Sequence, residues 1–204
     1  MTILLKLSQL IDALNRFVGK AVIWLILAST VISALNAVVR KIFHTSSNAY
    51  LEVQWYLFAW AFLLAAGYTL LRQEHVKIDV LYGTLKRRTQ VWIEIFGFLF
   101  FLTPFCLIIL YYAIPMVQYM YVSGESSQNT GGLIRWPAWL PIPIGVALLM
   151  LQGWSELIKR FAFLQGRIPD PADKQDETPG DGQELLDALR TNQNDVPAPG
   201  HQKA

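Results

Sequence analysis

Four long apolar runs dominate the chain, at residues 19–39, 53–71, 91–121 and 138–158, and charged residues gather between them. The second run is the clearest. It carries no charge between Glu52 and Arg72. About 19 helical residues at ~1.5 Å each span roughly 28 Å, close to the hydrocarbon thickness of a bilayer. Trp55, Tyr56 and Trp60 lie toward its Glu52 end and Tyr68 toward its Arg72 end, where amphipathic rings sit at the headgroup level. The third run, at about 31 residues, makes a helix of roughly 46 Å, so it must tilt, kink or emerge from the membrane. Pro104 and Pro115 offer places to kink, because each removes a backbone donor. The fourth run is entered through Pro141 and Pro143 and closes on Trp154, Glu156, Lys159 and Arg160. The first contains Asn36 near its far end and closes on Arg40 and Lys41. It is longer than the apolar core of a secretory signal, and a long amphipathic segment precedes it, which argues against cleavage.

The stretches between the runs have their own patterns. In residues 2–18, Leu4, Leu7, Ile11, Leu14 and Val18 recur at helical spacing, with Lys6, Gln9, Asp12, Asn15 and Arg16 between them. This reads as an amphipathic helix that lies along the interface or packs on a neighbour, or else as an extension of the first span. Residues 72–90 hold Arg72, Lys77, Lys86, Arg87 and Arg88 against Glu74 and Asp79. Val76, Ile78, Val80 and Leu81 predict a short interfacial helix there, with Gly83 as a break. Residues 122–137, VSGESSQNTGGLIRWP, read as a loop. Beyond Phe163 the chain turns rich in Pro, Gly, Asp and Gln, the composition of a disordered tail. The expected fold is an all-α integral membrane protein. It has four transmembrane helices, an N-terminal amphipathic helix and a short interfacial helix, in a membrane domain over residues 1–165, with a flexible cytoplasmic tail over 166–204.

Composition sharpens this picture. Of 204 residues 53% are hydrophobic and 16% charged, where soluble domains run near ~25% charged. A net charge of +2 is too small to point to nucleic acid. The single cysteine, Cys106, allows no intrachain disulfide and sits in an apolar run, where a lone thiol is ordinarily inert packing. Basic residues are unevenly shared. Four spans put both termini on one side, with Lys6, Arg16, Lys20, the basic stretch from Arg72 to Arg88, Lys159, Arg160 and Arg167; the other side has Arg40, Lys41 and Arg135. The positive-inside rule places the first side in the cytoplasm.

Catalytic signatures are missing. His44, His75 and His201 are scattered, and there is no HExxH, CxxC, GxSxG or GxxxxGK[ST], so no metal site, cofactor, nucleotide motif or enzymatic function is expected. A solute pathway needs ionisable groups at mid-depth, and the middles of the four spans are apolar. Glu52 and Glu94 lie near span ends. Each is either an interface carboxylate paired with a nearby Lys or Arg, or a contact to another subunit. Gly67, Gly97, Gly145 and Gly153 are candidate points of close helix approach.

Three stretches carry a resemblance. The first is the run from Glu52 to Tyr82, with Trp55, LLAAGYTL, and then Arg72, His75, Val76, Lys77, Ile78 and Asp79. The second is GESSQNTGGLIRWPAWLPIP, with Gly131, Gly132 and Trp136. The third runs from Pro143 to Lys159 through Gly145, Gln152, Gly153 and Glu156. Together with the four-span layout, over about residues 1–165, the chain resembles the DctQ-like small permease subunit of tripartite ATP-independent periplasmic (TRAP) transporters. The resemblance implies a multi-pass protein of a bacterial inner membrane, with both termini cytoplasmic. It implies a large membrane subunit that holds the substrate and sodium sites, and a periplasmic binding protein that delivers organic anions such as carboxylates. In that setting this chain braces the large subunit. Glu52, Trp55, Arg72, His75, Lys77, Asp79, Gly131, Gly132, Trp136 and Glu156 are then candidates for contact with a partner or with membrane lipids. For His75, Lys77 and Asp79 the choice lies between lipid phosphates and fixing the interfacial helix, and for the loop between touching a partner and merely connecting helices. The rival reading is a self-contained small four-helix transporter, which needs a carboxylate deep in a span.

Overall fold

The computed structural model describes residues 2–43, 48–73 and 84–168. Its elements are α1 (Thr2–Phe43), α2 (Asn48–Leu71), α3 (Arg87–Gly97), a π-helical turn (Phe98–Leu102), α4 (Thr103–Ser123), the short α5 (Trp136–Trp139) and α6 (Pro141–Leu164). Four stretches are long and apolar enough to cross a membrane: Ile3–Phe43, Asn48–Leu71, Arg87–Ser123 and Trp136–Leu164. They run alternately up and down. Ser8 meets Ser155 at one end, Ser29 meets Gln54 farther along α1, and Glu52 meets Leu133 at the opposite end.

The N-terminal amphipathic segment is not a separate helix. It continues into the first span without a break as α1, some 60 Å long at ~1.5 Å per residue. No proline or glycine interrupts residues 2–18, so nothing in the sequence stops the helix there. Its orientation also inverts a simple reading of its pattern. Leu4, Leu7, Leu10, Leu14 and Phe17 are exposed, while Ser8, Asp12 and Asn15 are buried with Ile11. In a bilayer, lipid tails are as apolar as leucine, so apolar side chains gain little from meeting another helix. Small and polar ones do gain, by close packing and hydrogen bonding.

α3, the π turn and α4 form one continuous path from Arg87 to Ser123. The irregularity falls earlier than either proline. Thr103 reaches back five residues to the Phe98 carbonyl with its backbone N–H, and its hydroxyl donates to the same oxygen at 2.9 Å. Pro104 follows at the start of α4. It lacks the N–H that an α-helix would direct at Phe100, and the widened turn takes up the mismatch just before it. Pro115 lies inside α4.

Glycine decides how tightly α2 and α6 approach. A Cβ on Gly145 would collide with the Leu63 carbonyl oxygen, and one on Gly67 would collide with Asn15 Oδ1. The space beside Gly153 is filled by Leu102, whereas that around Gly97 is open, so Gly97 is not a point of close approach. Outward, α1, the π turn and α4 present Leu10, Phe17, Trp24, Phe101, Tyr111 and Tyr112, an apolar belt suited to lipid. The expected interfacial helix, with His75, Lys77, Asp79 and Gly83, lies outside the described residues, as does the tail beyond residue 168.

Candidate functional site

Two polar clusters tie the helices together, one at each end of the bundle. The first lies at the end where α1 begins and α6 finishes. Gln152 is its hub and is fully buried. Its amide nitrogen donates to Asp12 Oδ1 at 3.0 Å and to Glu156 Oε1 at 3.2 Å, and its oxygen accepts from Asn15 Nδ2 at 2.9 Å. Ser155 Oγ donates to Asp12 Oδ1 at 2.8 Å and lies 2.7 Å from Ser8 Oγ. Lys159 Nζ bridges Asp12 Oδ2 and Glu156 Oε1, 2.7 Å from each.

Arg160 extends the cluster to the third helix. Its guanidinium reaches Glu94 Oε2 and Glu156 Oε2, each at 2.5 Å, and lies over the Phe98 ring 4.8 Å from the centroid. Gln73, just past α2, donates to Glu156 Oε2 at 3.3 Å. All four spans therefore meet around one buried set of charges and amides. Asn15 and Gln152 are its innermost members. They sit level with Gly67, about one helical turn inside the end of α2. Asn15 Oδ1 has no conventional donor. It fills the space that a Cβ on Gly67 would occupy.

The second cluster orders the loop between α4 and α5. Ser126 and Ile134 form an antiparallel bridge, Ser127 N–H donates to Leu133 O at 2.8 Å and Arg135 N–H to Glu125 O at 3.0 Å. The loop is thus a small hairpin. Gly124 and Gly131 take positive φ, 61° and 73°, which glycine adopts without strain. Glu52 holds the hairpin onto α2. Its carboxylate accepts from Ser127 Oγ, from Asn129 Nδ2 at 2.9 Å and from Leu133 N–H at 2.7 Å. Asn48, Tyr56 and Trp60 donate to the carbonyls of Thr130, Ile134 and Pro137. Asn48, Glu52, Tyr56 and Trp60, four residues apart on one face of the first half of α2, therefore grip the hairpin and the start of α5.

These positions redistribute the candidates named from sequence. Glu52 is buried and engaged by uncharged donors of its own chain rather than by a basic residue. Glu94 does have a basic partner, Arg160. Glu156 is a core member of the first cluster. Gly132 packs against Ser127, and Gly131 sets the hairpin turn. The Trp136 ring meets Tyr121 edge-on at 5.4 Å. Trp55 is exposed on α2. Arg72 is in the turn that follows α2. Sequence reasoning does not single out Ser8, Asp12, Asn15, Gln152, Ser155, Lys159 and Arg160 as a set. The signal for them is a stripe of polar residues at helical spacing on α1 and a second near the end of α6.

Chemically, the arrangement is a clamp. Among the described residues no group of three or more His, Cys, Asp or Glu is placed to hold a metal ion. Apart from Asn15 Oδ1, the buried polar groups of the first cluster are engaged with one another across helices, and Glu52 is engaged by the hairpin.

A family model described as "Tripartite ATP-independent periplasmic transporters, DctQ component" matches residues 29–163. The match takes in Glu52, the hairpin and the α6 half of the first cluster, whereas Ser8, Asp12 and Asn15 precede it. Neither a curated protein nor a solved structure matches the chain.

Proposed function

The chain belongs to the DctQ component family of tripartite ATP-independent periplasmic transporters, and we propose that it braces the large permease subunit of such a transporter. That subunit takes up organic anions such as carboxylates with a sodium gradient, after a periplasmic binding protein delivers them. The observation that supports this reading best is the double clamp. Helices cross-tied at both ends keep a fixed shape, as a scaffold requires, whereas alternating access requires one part of a protein to rock against another.

The chain spans a bacterial inner membrane with both termini in the cytoplasm. Arg16, Lys20, Arg72 and the basic residues from Lys86 to Arg88 belong to the termini's side, in keeping with the positive-inside rule. The hairpin then faces the periplasm, where the binding protein arrives. A reporter fused after Ser47 should behave as periplasmic, and a cytoplasmic signal would reverse this orientation.

The functional test is uptake in the native host. Cells lacking this chain should lose sodium-dependent uptake of at least one compound in a panel of labelled mono- and dicarboxylates, and the full chain should restore it. Undiminished uptake of every compound would remove the transport role.

A further inference from the structure

A cleft of about 560 Å³ opens between the end of α1 and the beginning of α2, lined by Ser33, Asn36, Arg40, Lys41, Leu51 and Gln54. We propose that it binds the phosphate of an anionic phospholipid, in the leaflet at the end of the bundle away from the termini. This does not depend on the proposed transport role.

Charge is the first argument. The described carboxylates at this end are already engaged, Glu52 by the hairpin donors and Glu125 by Arg135 at 2.5 Å. No described carboxylate lies within ion-pair distance of Arg40 or Lys41, and both are exposed. Cations at a helix C-terminus gain from its dipole, which accounts for one favourable contact each. It does not account for their convergence on a cleft that also holds two amides and a hydroxyl. Guanidinium, ammonium, amide N–H and hydroxyl groups are together the donors that phosphate oxygens accept from.

Position is the second argument. Glu52, Gln54 and the hairpin mark the end of the 53–71 apolar run, so the cleft stands at headgroup depth. Phe58 is exposed on α2 one turn farther into the span than Gln54 and on the same face as Leu51 and Gln54, giving the cleft an apolar track toward the bilayer core where an acyl chain would lie. A soluble anion would use the polar groups and leave this apolar track empty; a phospholipid uses both.

The full chain, purified in detergent, is titrated with spin-labelled phosphatidylglycerol and, separately, spin-labelled phosphatidylcholine, and the immobilised lipid fraction is measured. The chain should prefer phosphatidylglycerol. Arg40→Ala or Lys41→Ala should reduce that preference about five-fold each, and the double variant roughly thirty-fold. Arg40→Lys should retain most of it, and Lys20→Ala, toward the other end of α1, should leave it unchanged. The wild-type chain supplies a check that needs no variant: its preference should fall steeply as salt is raised. A double variant with native helicity and native melting but an undiminished preference would overturn the proposal. Displacement of the lipid by an equal concentration of inorganic phosphate would also overturn it, in favour of a free-anion site. So would loss of a co-purifying protein with lipid binding intact, which would make the cleft a protein contact.

Discussion

Replacing Gln152 with leucine tests the first clamp where it is most concentrated. Leucine is close to glutamine in size, so the substitution removes hydrogen bonds without opening a large cavity. Gln152 is fully buried and makes three bonds, two of them to carboxylates. Interhelical hydrogen bonds inside membranes average about 0.6 kcal/mol and reach about 1.7. The two bonds to Asp12 and Glu156 belong toward the upper value, because charged acceptors strengthen them. The expected loss is therefore about 2–4 kcal/mol. It is not larger because each partner keeps a second bond: Asp12 to Ser155, Glu156 to Lys159, and Asn15 to the Ile11 carbonyl at 3.2 Å. For a chain of this size about 2–4 °C of Tm accompanies each kcal/mol, so Gln152→Leu should melt roughly 4–16 °C below wild type in nanodiscs. A variant melting within about 1 °C of wild type would refute the clamp, because it would show that the three bonds contribute no more than lipid contacts would.

The remaining predictions follow from the same geometry. Arg160→Leu leaves Glu94 and Glu156 facing each other without the guanidinium between them; a cost of about 3–5 kcal/mol should appear as a large fall in Tm, and a small one would mean that water replaces the cation. Gly145→Leu drives a side chain into the Leu63 carbonyl and should abolish the native α2–α6 packing, seen as lost monodispersity. Gly97→Ala, in open space within a helix, should be neutral or stabilise by up to ~1 kcal/mol in the same melting assay. Glu52→Ala should free the hairpin, so amide exchange at Leu133, whose N–H donates directly to the carboxylate, should rise well above that in α6. Unchanged exchange there would mean that the hairpin holds itself.

The four spans are legible in the sequence because long apolar runs separated by charge are what a bilayer demands of a chain that crosses it repeatedly. The helical continuity of α1 is less so, since an amphipathic stretch before a span fits an interfacial helix as well as an extended one. Which face of that stretch turns inward is legible only in part. Of the visible stripe, Leu4, Leu7 and Leu14 are exposed, Ile11 is buried and Val18 half-buried, while Ser8, Asp12 and Asn15 make the polar contacts. The reason is the solvent: in water the apolar stripe would turn inward, and in lipid its leucines turn outward. Glu52 stands out as a charge at a span end, but its partners lie 75 to 81 residues away, a separation that no local pattern encodes. The π turn is half-visible, since Pro104 forecasts an irregularity, while its placement at Phe98–Leu102 follows from how the preceding turn absorbs it. The family match, over residues 29–163, and the sequence resemblance agree; the resemblance is carried by residues 52–82, 124–143 and 143–159.

The most direct measurement is the mass and composition of what this chain forms in its own membrane. Tagged, gently extracted and analysed by light scattering with subunit identification, it should emerge with a larger multi-span protein in about equal amount. A chain that emerged alone as a monodisperse species would contradict the bracing role and favour a self-contained four-helix transporter.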